Sequence, residues 1–204
     1  MDTADGFAGF AGPSTRGAEV NAQALLIERM LAQTHTAMLV RVAAVSPADD
    51  GGGRVDVQPL VHQVDGAGQI VPHGTVHGLP YVRLQGGTSA FIVEPQAGDI
   101  GLAVFASRDI STVKATGQAS PPGSGRRNSM SDGIYLGGLL NGTPTQMVKL
   151  DADGITLTSP TAVTINAPKL VINADTMTHD GVNVGSTHKH TGVRAGGDTT
   201  GGPE

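Results

Sequence analysis

Two histidines one residue apart, His188 and His190, are the pair in this sequence best placed to do chemistry. They lie within GVNVGSTHKHTGVRAGGDTTGGPE, residues 181–204. On an extended strand, residues i and i+2 leave the backbone on the same face, so both imidazoles point one way. Imidazole nitrogen binds first-row metals, but such ions take four to six donors. Either other residues complete the shell or other copies of the chain do. Small residues flank the pair: Gly185, Ser186, Thr187, Thr191 and Gly192. With three chains parallel to one axis, the pair would give two staggered rings of three imidazoles, an octahedron. That donor set suits Fe(II), Ni(II) or Co(II) better than tetrahedral Zn(II), and poorly suits Ca or Mg, which prefer oxygen. A filled six-coordinate shell has no open position for water or substrate, so such a site would be structural.

The other candidate groups have simpler readings. His35, His62, His73 and His77 are scattered, and read as surface or packed histidines. His73 and His77 have a helical ligand spacing, but Pro72, Gly74 and Gly78 argue against a helix there. Glycan cleavage needs two carboxylates at a cleft. Asp151 and Asp153 are close in sequence, yet they belong to the turn Asp151-Ala152-Asp153-Gly154, where Asp is expected anyway. His179 and Asp180 precede Gly181 and read as turn chemistry too. No G-x-S-x-G nucleophile motif occurs. An enzyme is therefore not expected.

The elements that must carry the histidine pair follow from periodicity. Residues 1–17 mix Gly, Ala, Asp, Ser and Pro13 and read as a mobile arm, with Phe7 and Phe10 as possible anchors on a neighbour. Ala18–Gln33 is the one clear helix, with Val20, Ala24, Ile27 and Leu31 on one stripe. That stripe could pack on the following domain or on other helices around an oligomer axis. From Thr36 the period becomes two. Strands are expected at Ala37–Val45, Arg54–Leu60, Leu79–Leu84 and Ile100–Ala106, with turns at Asp49–Gly53 and Glu94–Asp99. Such a run suggests a small Greek-key barrel, most simply an oligonucleotide/oligosaccharide-binding (OB) fold. Gly117–Gly133, with Pro121-Pro122, is a loop between two architectures.

Beyond it the sequence repeats. Ile134–Leu136 and Met147–Leu150 are short strands around the turn Asn141-Gly142. Three similar units follow: ITLTSPTA from Ile155, VTINAPKL from Val163 and VINADTMT from Val171. Each alternates Thr or Asn with Ile, Val or Leu. A short strand with one apolar face cannot bury that face alone, so stacked or intertwined copies must do so. Three units are few for a capped single-chain solenoid. They suffice if three chains wind around one axis, which also pairs the open strand edges. The intertwined trimer is the preferred reading.

Composition agrees. The chain has 204 residues, 30 of them Gly, no Trp and no Cys. The aromatic residues are few: Phe7, Phe10, Tyr81, Phe91, Phe105 and Tyr135. A modest aliphatic core per chain favours an oligomer that shares its core. The net charge of −5 and the absence of a basic block beyond Arg126-Arg127 argue against nucleic-acid binding. No apolar run is long enough to span a bilayer, and no signal-peptide pattern opens the chain.

These residues resemble a known family. EPQAGDIGLAVFASRD is similar to the Pro-x-x-Gly-Asp turn and following strand of the OB domain in the central spike proteins of contractile-tailed bacteriophage baseplates. SDGIYLGG and LDADGITLTSP resemble the start of that family's triple-stranded β-helix, and HDGVNVGSTHKHTGV with DTTGGP resembles its apex. The resemblance implies a mainly β protein: an N-terminal helix, an OB-fold barrel, then an intertwined trimeric triple-stranded β-helix with a metal-bound tip. Segments of 1–35 (arm and helix), 36–117 (OB domain), 118–144 (linker and lead-in), 145–180 (β-helix) and 181–204 (apex) are expected. His188 and His190 would be iron ligands, six His around one Fe ion per homotrimer. The implied role is structural, without catalysis: a spike at the tip of the virion's tail baseplate, assembled in the host cytoplasm and driven through the host outer membrane as the sheath contracts. The barrel would meet baseplate hub or tail tube proteins. The alternative is a β-helical tail protein that binds glycan or cleaves polysaccharide.

Overall fold

The structure, a computed structural model, describes residues 19–48, 53–189, 192 and 196. The chain divides into two compact units, Met1–Thr143 and Pro144–Glu204.

The first unit opens with helix α1, Glu19–Ala32, within the span that the periodicity predicts. Its end is closed by the Thr34 amide on the Leu31 carbonyl and by the Thr34 hydroxyl on the Met30 carbonyl. Leu26, Ile27, Met30 and Leu31 stay exposed, so among the described residues nothing covers that part of the helix.

Strand β1 (Ala37–Pro47) pairs antiparallel with β2 (Gly53–Pro59). Two short hairpin strands, β3 (Gln63–Val64) and β4 (Ile70–Val71), lead to β5 (Val76–Pro80), which returns along β2. The expected strand Leu79–Leu84 is thus split. β5 stops at Pro80, which has no amide to extend a ladder, and Leu84 opens a separate hairpin of β6 (Leu84–Gly86) and β7 (Ser89–Phe91). Strand β8 (Ile100–Phe105) pairs with β1. After a short helix α2 (Ser111–Thr116), in a stretch before the expected loop for which no element was expected, β9 (Gly133–Gly138) pairs with β8.

The sheet order is β5-β2-β1-β8-β9. Its edges meet where Tyr81 bridges Tyr135 in parallel and the Val82 amide donates to the Tyr135 carbonyl at 2.9 Å. A curled antiparallel sheet closed by one parallel contact fits an OB-like fold. The fifth strand comes from Ile134–Leu136 and its neighbours, residues the sequence alone places in the lead-in to the second architecture.

Alternation builds the core. Val40 and Val42 from β1, Val55 and Val57 from β2, Val76 and Leu79 from β5, Ala103 and Phe105 from β8, and Tyr81 and Tyr135 are all buried. Tyr135 fits because Gly101 has no side chain: a Cβ there would lie 2.3 Å from the Tyr135 hydroxyl and 2.2 Å from the Gly137 carbonyl oxygen. The turn 94–99 is stitched to β1, since Gly98 donates to the Val42 carbonyl and Val42 donates to the Asp99 carbonyl, each at 2.8 Å. Gly98 has φ +98°, a conformation open to glycine.

The second unit is thin. β10 (Met147–Asp151) and β11 (Gly154–Thr158) form a hairpin in which Val148 faces Leu157 and Leu150 faces Ile155. Directly opposed residues share a face, as do residues two apart. All four apolar side chains therefore lie on one face, and all are 51–70 % exposed. The repeat unit from Ile155 coincides with β11. The unit from Val163, and the unit from Val171 up to Met177, form no strand ladder with any described residue; only the last residue of the third unit, Thr178, enters one, opposite Asn183. Val163, Ile165, Leu170, Val171 and Ile172 are likewise exposed. A last hairpin, β12 (Thr178–His179) and β13 (Val182–Asn183), turns at Asp180 and Gly181, both with positive φ (+48° and +80°), the form a two-residue hairpin loop favours.

Candidate metal centre

β13 delivers the chain into a small polar loop. The Val184 amide donates to the Met177 carbonyl at 2.9 Å, tying the loop to the strand before the hairpin. Asn183 Oδ1 accepts from the Gly185 amide at 2.8 Å, and Asn183 Nδ2 donates to Thr187 Oγ1 at 2.9 Å. The next turn closes with the His188 amide on the Gly185 carbonyl at 3.1 Å. His188 Nδ1 lies 2.7 Å from that same carbonyl oxygen.

That last contact decides the tautomer. A carbonyl can only accept, so the proton sits on Nδ1. In a neutral ring the lone pair then falls on Nε2, the form in which an imidazole ligates a metal. A backbone carbonyl on the remote nitrogen is the usual support for a metal-bound histidine. The donor chemistry of His188 therefore fits a metal ligand. His190 lies outside the described residues. Among those described, no group of three or more His, Cys, Asp or Glu side chains converges on one point.

The other sequence candidates separate. His77 Nδ1 is 2.7 Å from Asp56 Oδ2, while Asp56 Oδ1 accepts from the Gly78 amide at 2.9 Å. The hydrogen bond from His77 foremost, then that amide, holds the Asp56 carboxyl below its ordinary range. His73 instead lies edge-on to His35, ring centroids 6.4 Å apart, and His35 meets Phe105 the same way. Burial, and then the charge on His73, push the His35 imidazole down. The spacing of His73 and His77 thus brings no pair together. Asp151 is an ordinary turn-former: Lys149 bonds its side chain and Asp153 donates its amide. Those contacts, Lys149 first, push its carboxyl down, the wrong direction for a general acid. A cleft of about 420 Å³ in the first unit is lined largely by apolar groups such as Leu84, Phe91 and Val93, and one of its carboxylates, Asp99, accepts from the Gln96 amide in the 94–99 turn.

One constellation escaped the sequence. Asp109 and Asp132 are both buried, and Arg126 Nη2 reaches Asp109 Oδ2 at 3.0 Å and Asp132 Oδ1 at 3.3 Å. Ser124 donates to Asp109 Oδ2 at 2.6 Å, and the amides of Ser111 and Ile110 donate to Asp109 and Asp132. Hydrogen bonds from Ser111 and then Ser124 hold the Asp109 carboxyl well below the usual range, with Arg126 adding to them. The cluster pins the Gly/Ser/Pro loop to the residues flanking β8 and β9. The adjacent pair Arg126-Arg127 was its only trace in the sequence.

Two family models match the chain. One, described as the phage protein Gp138 N-terminal domain, covers residues 42–138, from the middle of β1 to the end of β9. The other, the GpV Apex motif, covers residues 186–204 and so contains both His188 and His190. No match was found among curated proteins. The apex motif is the site of a metal ion in spike proteins. A barrel of the first kind followed by a terminus of the second indicates a phage baseplate central spike protein, GpV-like in type.

Proposed function

We propose that three copies of this chain form the point of a contractile tail, and that the point is pushed through the host outer membrane by sheath contraction. The observation that carries this reading is the second unit's bare apolar surface. Burying Val148, Leu150, Ile155 and Leu157 would contribute roughly 1.5–3 kcal/mol for each side chain, and a single chain leaves all four exposed. Two further copies supply the cover and the missing strand partners together.

At the apex, His188 and His190 of each copy would supply six imidazoles to one iron ion. Bound there, the metal contributes coordinate bonds that count as folding free energy, without an open position for substrate. Its place is the end of the β-helix. The chain's own contribution is mechanical: a shared core, interchain ladders and a locked tip resist unfolding under load. The role is structural, in the virion tail, with the barrel meeting hub or tube proteins. The families matched are structural phage tail proteins, which supports a non-enzymatic reading.

Native mass determination with metal analysis on one sample tests this. A trimer with about one iron per three chains is expected. A folded, iron-free monomer would overturn the proposal, and sustained release of sugar from host polysaccharide would replace it with the enzyme reading.

A further inference from the structure

The loop that presents His188 is braced by side chains that are not themselves ligands. Asn183 holds it at two points, through Oδ1 to the Gly185 amide at 2.8 Å and through Nδ2 to the Thr187 hydroxyl at 2.9 Å. Between those points runs the turn whose Gly185 carbonyl takes both the backbone amide of His188, at 3.1 Å, and its ring Nδ1, at 2.7 Å. Gly185 itself is closely packed: a Cβ there would lie 3.2 Å from Asn183 Oδ1 and 3.3 Å from the Met177 amide nitrogen. The Gly185 carbonyl is thus one support for the direction of the imidazole, and the Asn183 amide holds the turn that carries it.

We propose that Asn183, acting with Thr187 and the Gly185 carbonyl, is the positioning residue of the apex metal. It fixes the ring angle of His188 through the Nδ1 contact to the Gly185 carbonyl. This rests on the reading that His188 is a ligand. Groups that orient a ligating histidine usually govern metal affinity about 10–100-fold. The metal's residence time would then be set partly from the strand β13, outside the His-x-His pair.

The test uses the full-length protein and three variants: Asn183→Ala, Thr187→Val and Thr187→Ser. Iron content and the rate of iron loss to an excess of chelator are measured beside the native mass. Thr187→Val keeps side-chain shape and removes the hydroxyl that Asn183 donates to, whereas Thr187→Ser restores it. Asn183→Ala and Thr187→Val should release iron about 10–100 times faster as intact trimers, and Thr187→Ser should behave as the parent protein does. In the Co(II)-substituted protein, the paramagnetically shifted ring N–H proton of His188 should exchange with solvent faster in Thr187→Val, a signature that a merely structural threonine would not alter. If Asn183→Ala does not assemble, the Val and Ser pair at 187 decides the matter. Iron-loaded parent protein with an unchanged release rate in Thr187→Val overturns the positioning role alone. Parent protein without iron overturns the metal reading beneath it.

Discussion

At the scale of single residues, the barrel's most exacting feature is two buried carboxylates sharing one guanidinium. Asp132 is fully buried and its Oδ2 has no hydrogen-bond partner among the described residues, while its Oδ1 takes Arg126 and the Ile110 amide. Removing the arginine leaves both acids without their counter-charge. Arg126→Ala should destabilise the first unit by about 2 kcal/mol, the scale of a hydrogen bond to a charged group, since the half-exposed guanidinium is partly screened by water. Denaturant titration followed by tyrosine fluorescence reads it. Asp109 makes a separate prediction in acid. Its carboxyl titrates below the ordinary value of about 4, so its stabilisation is complete above that value and is lost as pH falls through the lower native one. Asp109→Asn, which cannot titrate, should flatten the acid limb of stability against pH; a limb of unchanged slope would show that other carboxylates set it. None of this was legible beforehand, because Asp109, Ser124, Arg126 and Asp132 meet only after the chain has folded back on itself. The apex motif was legible because its residues are contiguous in the sequence.

At the scale of elements, alternation located most strands correctly, and its misplacements share a cause. Ile134–Leu136 has the right period for a strand, but period does not say which sheet receives it. Tyr135 decides, because its ring fills the space over Gly101 and closes the barrel against Tyr81. Gly101→Ala would force a methyl group into the Tyr135 hydroxyl and the Gly137 carbonyl, and should cost at least about 2 kcal/mol of barrel stability, in the range for overpacking. A variant with the parent's denaturation midpoint would mean that β8 and β9 separate at little cost. The repeat units from Val163 and Val171 have the opposite history. Their alternation is clear, yet among the described residues only Thr178, at the end of the third unit, enters a ladder; the proposed trimer would supply the other strands with partners. Placing a carboxylate on the hairpin's bare face separates the cases. Ile155→Asp should abolish association by light scattering while the barrel's tyrosine signal stays native. A trimer that survives this change would remove the hairpin from the interface.

At the scale of the whole molecule, the two units differ in what their folding depends on. Every member of the barrel core comes from one chain between Val40 and Tyr135, so its stability needs no second copy. The second unit has no buried apolar side chain of its own among the described residues, so in the proposed reading its order comes from association and metal. Association makes a melting temperature depend on protein concentration, whereas intramolecular burial does not. The sequence supplies selective probes for this contrast. There is no Trp, and the only two tyrosines, Tyr81 and Tyr135, both lie in the barrel. Near-ultraviolet circular dichroism in the tyrosine band therefore follows the first unit, and far-ultraviolet circular dichroism follows both. Across a hundredfold dilution the tyrosine-band midpoint should stay fixed, while a second, far-ultraviolet transition moves to lower temperature and falls further when a chelator is present. If both signals move together with dilution, the barrel too depends on its neighbours, and the exposed stripe of α1 becomes the first place to look for the contact.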